Sequence, residues 1–143
     1  MLTIDASVWV SAFDATDVLH ESCRDFVRTV TRDMVALRAP SFVLVETACA
    51  VARRVGSPDV GRDVAREVAA SPHLALIQTD ADLEQEALRL GTECRLRAAD
   101  ALYVAVAVRT GSVLITTDRE LGARVPERIV TMTPGEWLAT RPN

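Results

Sequence analysis

The stretch RAADALYVAVAVRTGSVLITTD, residues 97–118, decides the fold. From Ala98 to Val108 it is apolar except at Asp100, which predicts a buried helix. Thr110-Gly111 makes a tight turn, and Val113 to Ile115 a short strand that runs through Thr116 and Thr117 into Asp118. Two almost fully buried elements thus carry one carboxylate near the helix start and another at the strand end. A buried carboxylate is costly unless something pairs with it. The only basic residue between the two is Arg109, near the far end of the helix. A divalent cation is the natural third party.

Upstream, Leu2 to Asp5 predicts a first strand ending on an acid, followed at once by a helix through Val8, Trp9, Val10 and Phe13. Open α/β sheets build their sites at such strand ends, although taken alone Asp5 or Ser7 merely capping that helix is the better account. Residues 19–33 predict a second helix with the apolar stripe Cys23, Phe26, Val27 and Val30. A strand over Met34–Ala39 stops at Pro40. Ser41 then caps a third helix, Phe42 to Arg54, that is apolar almost all round and is expected to be buried on most faces. Glu46 sits in its middle as its only acid. Both a structural salt bridge to an arginine and a functional role are open for it. Pro58–Ser71 predicts a fourth helix, Leu74–Gln78 a strand, and Leu83 onward a helix capped by Thr79 or Asp80, whose Asp82, Glu84 and Glu86 complement the helix dipole. Beyond Asp118 follow a short helix to Val125, a strand over Ile129–Met132 and a terminal helix over Thr133–Ala139.

Strands alternating with helices predict a mostly parallel sheet of short strands in a three-layer α/β/α sandwich. The 143 residues, 49% of them hydrophobic, suffice for one domain spanning residues 1–143. No apolar run approaches the roughly 20 residues of a membrane span, and no basic N-terminal region leads into a signal-type segment. A cytoplasmic protein without membrane contact is expected. Three widely spaced cysteines, Cys23, Cys49 and Cys94, argue against a disulfide framework and for small buried side chains. His20 and Cys23 have ligand-like spacing but are expected to be structural. All sixteen basic residues are arginine, and the net charge of −4 gives no whole-molecule attraction to nucleic acid.

Four of the twenty acids stand out by context: Asp5, Glu46, Asp100 and Asp118. A doubly wound sheet gathers strand C-termini and helix N-termini along one edge, which could bring them together. Clustered carboxylates repel unless a cation neutralises them. All-oxygen donors point to Mg²⁺ or Mn²⁺ rather than zinc, and to metal-assisted phosphodiester hydrolysis.

The sequence resembles the PIN-domain ribonucleases, and within them the VapC-type toxins of bacterial toxin–antitoxin pairs. The resemblance is carried by IDASVWV, SFVLVETACAVARR and RAADALYVAVAVRTGSVLITTDREL in this order. It implies that Asp5, Glu46, Asp100 and Asp118 are catalytic, with Asp5, Asp100 and Asp118 as the metal ligands, and that Ser7 and Thr116 are polar helpers. It further implies Mg²⁺ or Mn²⁺, RNA as substrate, homodimerisation or a higher toxin–antitoxin assembly, and an antitoxin partner. Arg95, Arg97 and Arg119 are candidate contacts to RNA phosphates, since arginine forks suit phosphate. The apolar sides of the second and fourth helices are candidate docking faces for the antitoxin. Many relatives carry a further acid just after the last Asp, where this chain has Arg119 and then Glu120.

A phosphorelay receiver or haloacid-dehalogenase-type phosphotransferase is disfavoured, because both need a lysine and the chain has none. No GxxxxGK[ST] loop is present, against an ATPase or GTPase. A noncatalytic PIN-fold module binding RNA or protein is the alternative. Glu46 or Asp118 already paired to arginine would favour it.

Overall fold

The computed structural model describes residues 1–141. In chain order it runs β1 (Leu2–Ile4), α1 (Ala6–Phe13), α2 (His20–Arg32), β2 (Leu37–Pro40), α3 (Val43–Val55), α4 (Pro58–Ala69), β3 (Leu74–Ile77), α5 (Ala81–Cys94), α6 (Ala98–Thr110), β4 (Val113–Ile115), α7 (Arg119–Arg124), β5 (Thr131–Met132) and α8 (Pro134–Ala139). The strands form one parallel sheet in the order β3-β2-β1-β4-β5. Helices flank it as the alternating pattern predicts. β1 is central, with β2 on one side and β4 on the other, so the order of connection reverses between β1 and β4. Their register, Leu2 to Val113 and Ile4 to Ile115, sets the carboxyl ends of the two strands side by side. Ligands bind at such a switch point in open α/β sheets.

α6 explains why residues 97–118 dominate the sequence. It packs across β2, β1 and β4, while α5 packs on α6. Ala101, Tyr103, Val104, Ala105, Val106 and Ala107 are all buried, so the helix has almost no wet face. A second group of helices consists of α3 on α4 and α1, and of α2 on α1 and α8. Ile4, Trp9, Phe26, Leu114 and Ile115 fill the core between these layers.

Several local expectations are corrected. α3 is not buried on most faces. Its buried residues are Val43, Thr47 and Val51, whereas Phe42, Val45, Cys49 and Val55 are exposed, because α3 rests on helices rather than on the sheet. Glu46 lies in its first turn, not its middle, and the Ser41 side chain does not cap it. The second strand begins only at Leu37, since Met34 takes a left-handed backbone conformation that ends α2. Only Cys23 among the cysteines is buried, and burial pushes its thiol up to about 11. The stripes Cys23, Phe26, Val30 on α2 and Val64, Val68 on α4 belong to the core and are unavailable as docking faces.

α3 and α4 pack tightly at Gly61. A Cβ there would stand 2.5 Å from the Ala48 carbonyl oxygen and 2.9 Å from the Ala52 Cβ. Alanine is the better helix former, yet Gly61→Ala is expected to destabilise the protein by about 1–3 kcal/mol through overpacking against backbone. Urea denaturation measures this, and an unchanged midpoint would mean the two helices separate freely.

Candidate functional site

Asp5 follows β1 directly and is buried. Its Oδ2 accepts hydrogen bonds from Ser7 Oγ and, at 2.7 Å, from Thr116 Oγ1. Each hydroxyl in turn accepts a backbone N–H from the link after β4: Thr117 N–H donates to Ser7 at 3.1 Å, and Asp118 N–H to Thr116 at 3.0 Å. The β4–α7 link is thereby laced onto the end of β1 around one carboxylate. This corrects the cap expectation for α1. Ser7 lies inside that helix, and neither it nor Asp5 caps it with a side chain. The Ser7 hydroxyl donates to the Asp5 carboxylate and accepts from Thr117 N–H, so it serves the strand ends instead of the helix.

Asp100, half-buried in the first turn of α6, faces the same cleft, as do Glu46 and Asp118. The cleft encloses about 250 Å³ and also takes in Asp17, Arg54 and Arg97. Glu46 has no arginine partner: its Oε2 accepts a 2.8 Å hydrogen bond from the buried Tyr103 hydroxyl. Asp118 is more committed. Its Oδ1 caps α7 by accepting from Glu120 N–H at 2.8 Å and Leu121 N–H at 3.1 Å, and its Oδ2 stands 3.6 Å from an Arg97 guanidinium nitrogen. Arg97 is held more closely by Glu120, at 2.9 Å.

The electrostatics reflect crowding. Asp5 is held above the ordinary carboxylate range first by burial and then by the Glu46 charge, against the pull of the Ser7 and Thr116 hydrogen bonds. Burial also raises Glu46, opposed by Tyr103 and reinforced by the Asp100 charge. Asp100 is raised by burial, then by the Asp5 charge, with Arg97 opposing. Among the described residues no three acids stand at metal-chelating distances from one another, in keeping with like charges that repel. The fit to a cation rests on donor chemistry: hard oxygens only, several raised by mutual proximity, around a cleft whose two arginines are already engaged by Asp14, Asp17 and Glu120.

These raised groups fix a pH dependence. A carboxyl raised in the folded state binds its proton more tightly there than in the unfolded chain. Its stabilising contribution is therefore full below the unfolded value of about 4 and is lost as pH rises through the folded one. Carboxyls lowered by their partners, such as Asp33 and Glu86 beside arginines, act in the opposite sense. The cleft's share is the difference between wild type and Asp5→Asn in EDTA. Wild type is expected to lose stability relative to the variant as pH rises above about 4. A difference that stays constant with pH would contradict the burial of an ionising Asp5.

The sequence-based candidates thus separate. Asp5, Ser7, Glu46, Asp100 and Asp118 line one cleft with Arg97, and Thr116 holds Asp5 from behind. Arg119 lies just outside it, while Arg95, at the C-terminus of α5, takes no part in lining it. Sequence reasoning missed Tyr103, although the chain's only tyrosine, three residues after Asp100 in an aliphatic helix, was a signal. It also missed Arg54, whose guanidinium donates to Asp14 at 2.8 Å and to Asp17 at 3.0 Å. No local pattern announces that pair. The His20 Nδ1 lies 3.1 Å from the Ser11 carbonyl oxygen.

A five-stranded parallel sheet with acids gathered at its switch point is the architecture of a PIN domain, and residues 2–126 match that family. The chain belongs to the PIN domain family. Its fold is shared with VapC20 of Mycobacterium tuberculosis, a sarcin–ricin loop cleaving toxin, at a TM-score of 0.73 and 22% identity over 91% of this chain and 99% of that one. VapBC2 from Rickettsia felis, solved bound to a promoter DNA fragment, aligns with a TM-score of 0.70 and 14% identity over 92% and 97% of the two chains. PAE2754 from Pyrobaculum aerophilum aligns at 0.68 and 22% identity over 96% and 85%. A search of curated proteins gives no match.

Proposed function

We propose that the protein is a metal-dependent endoribonuclease of the VapC type, the toxin of a VapBC-type toxin–antitoxin pair. The observation that carries this is the convergence of Asp5, Glu46, Asp100 and Asp118 on one cleft at the β1–β4 switch point. Asp5, Asp100 and Asp118 would hold Mg²⁺ or Mn²⁺, the hard cations that carboxylate oxygens favour. Such an ion supplies water activation and neutralises charge on a phosphodiester. Ser7 and Thr116 fix the Asp5 carboxylate in one orientation through Oδ2. Tyr103 steadies Glu46, whose raised affinity for a proton suits it to accept one from the attacking water. Arg97 and Arg119 would meet flanking phosphates.

The fold shared with VapBC2 supports an antitoxin partner, and the same family logic implies a homodimer or a larger toxin–antitoxin assembly. Among the described residues no helix is long and apolar enough to cross a membrane, and a cytoplasmic site of action is part of the proposal. Incubating purified protein with a defined pool of structured RNAs in Mg²⁺, Mn²⁺ or EDTA tests it. Metal-dependent cuts leaving 5′-phosphate and 3′-hydroxyl ends are expected. A second reading, a noncatalytic RNA- or protein-binding PIN module, draws on the engagement of Asp118 by α7 and Arg97. Absence of both cleavage and calorimetric metal binding would select it.

A further inference from the structure

The acid cleft continues past Asp118. Thr117 walls it on one side and walls two further hollows on the other, one of which also shares Leu19 with the cleft. The hollow that shares Leu19 lies between α2 and the start of α8, bounded by Leu19, Ser22, Thr117, Arg119, Thr133 and Pro134. No acid lines it. The other hollow carries Asp118 and Glu136, which would repel a phosphate. Arg119 is exposed and, unlike Arg97 and Arg124, has no carboxylate partner among the described residues.

Resting on the RNA-cleaving function above, we propose that this hollow receives the nucleoside adjacent to the phosphate over the acids, with Arg119 binding that nucleoside's other phosphate. Its volume, about 280 Å³, falls just under the ~300 Å³ at which drug-sized pockets begin, so it suits one nucleoside and not a larger ligand. Leu19 and Pro134 offer apolar surface to the base ring. Ser22, half-buried and without a hydrogen-bond partner among the described residues, offers a hydroxyl to the base edge. The Thr133 hydroxyl is already committed to the Glu136 capping box, which leaves the Ser22 and Thr117 hydroxyls as the discriminating groups. A Cβ on Gly135 would stand 3.3 Å from Ser22 Oγ, so alanine there crowds the hydroxyl that faces the hollow. An arginine fork then fixes the phosphate that follows.

The test is an amide chemical-shift titration of the full chain in Mg²⁺ with the four nucleoside 3′,5′-bisphosphates, which contain no phosphodiester to cleave. Expected are base-dependent shifts at Ser22, Thr117, Arg119 and Gly135, with binding about tenfold weaker or more in Arg119→Gln, as loss of a charged hydrogen bond implies. Gly135→Ala is expected to weaken binding as well, with the base preference blunted. Shifts confined to Asp5, Ser7 and Asp100, shifts indifferent to the base, or unchanged affinity in Arg119→Gln would overturn the proposal. If RNA is cut but the hollow ignores every bisphosphate, the subsite alone falls. If bisphosphates bind there and no RNA is cut in any metal, the nuclease function falls and the nucleotide site stands.

Discussion

Asp5→Asn is expected to lower metal-dependent RNA cleavage by about 10²–10³-fold or more, the scale on which loss of one charge-stabilising group acts, without loss of stability in EDTA. The two halves of this outcome have one origin. Asp5 is buried, and its charge is opposed by burial itself and by Glu46. Asparagine keeps an oxygen that can accept from the Ser7 and Thr116 hydroxyls and removes the charge. The lacing of the β4–α7 link onto β1 therefore survives, while the anionic donor for a cation is gone. Cleavage assays beside melting curves in EDTA measure both. A variant that cuts at the wild-type rate would remove Asp5 from the metal ligands. One that melts well below wild type would show that the charge itself organises the link.

Phe26→Ala is expected to cost about 3–5 kcal/mol, as other buried phenylalanine truncations do, out of the ~5–15 kcal/mol typical of a whole domain. Phe26 is completely buried on α2 and meets Trp137 of α8 edge to face, with ring centroids 5.2 Å apart and planes at 81°. Arg141 covers the Trp137 ring, 5.0 Å from its centroid. α8 has only six residues, too few to hold a helix in water unaided. Its place depends on this aromatic contact, as does the spacing of the two helices around Ser22 and Gly135. Urea denaturation with a midpoint close to wild type would mean that α8 is anchored elsewhere.

Residues 97–118 were legible because a helix buried on nearly every face and a strand buried on both leave few alternatives, and a parallel sheet follows from such strands. Asp5 and Asp118 announced themselves as acids at strand ends. What stayed hidden depended on neighbours that composition does not name. α3 is as apolar as a core helix, yet it sits on α4 and α1, so Phe42 and Val45 face outward. Ser7 reads as a helix cap in the sequence, but it lies inside α1 and bonds a carboxylate. Tyr103 resembles one more core residue until its hydroxyl is seen on Glu46. Arg54 reaches back from the end of α3 to Asp14 and Asp17, a pairing with no local spacing to reveal it.

The pairing of β1 with β4 also sets a timetable. Asp5 leaves the ribosome well before Asp100, Thr116 and Asp118, the groups that hold and complete its surroundings. A growing polypeptide therefore carries no assembled centre until β4 has left the exit tunnel and slid in beside β1. Premature termination anywhere before residue 113 yields a fragment without the site. Under the proposed function, that ordering withholds the chemistry until β4 has been made. It also marks the α6–β4 turn at Gly111 as the seam for dividing the chain into two inert halves whose reunion restores the centre.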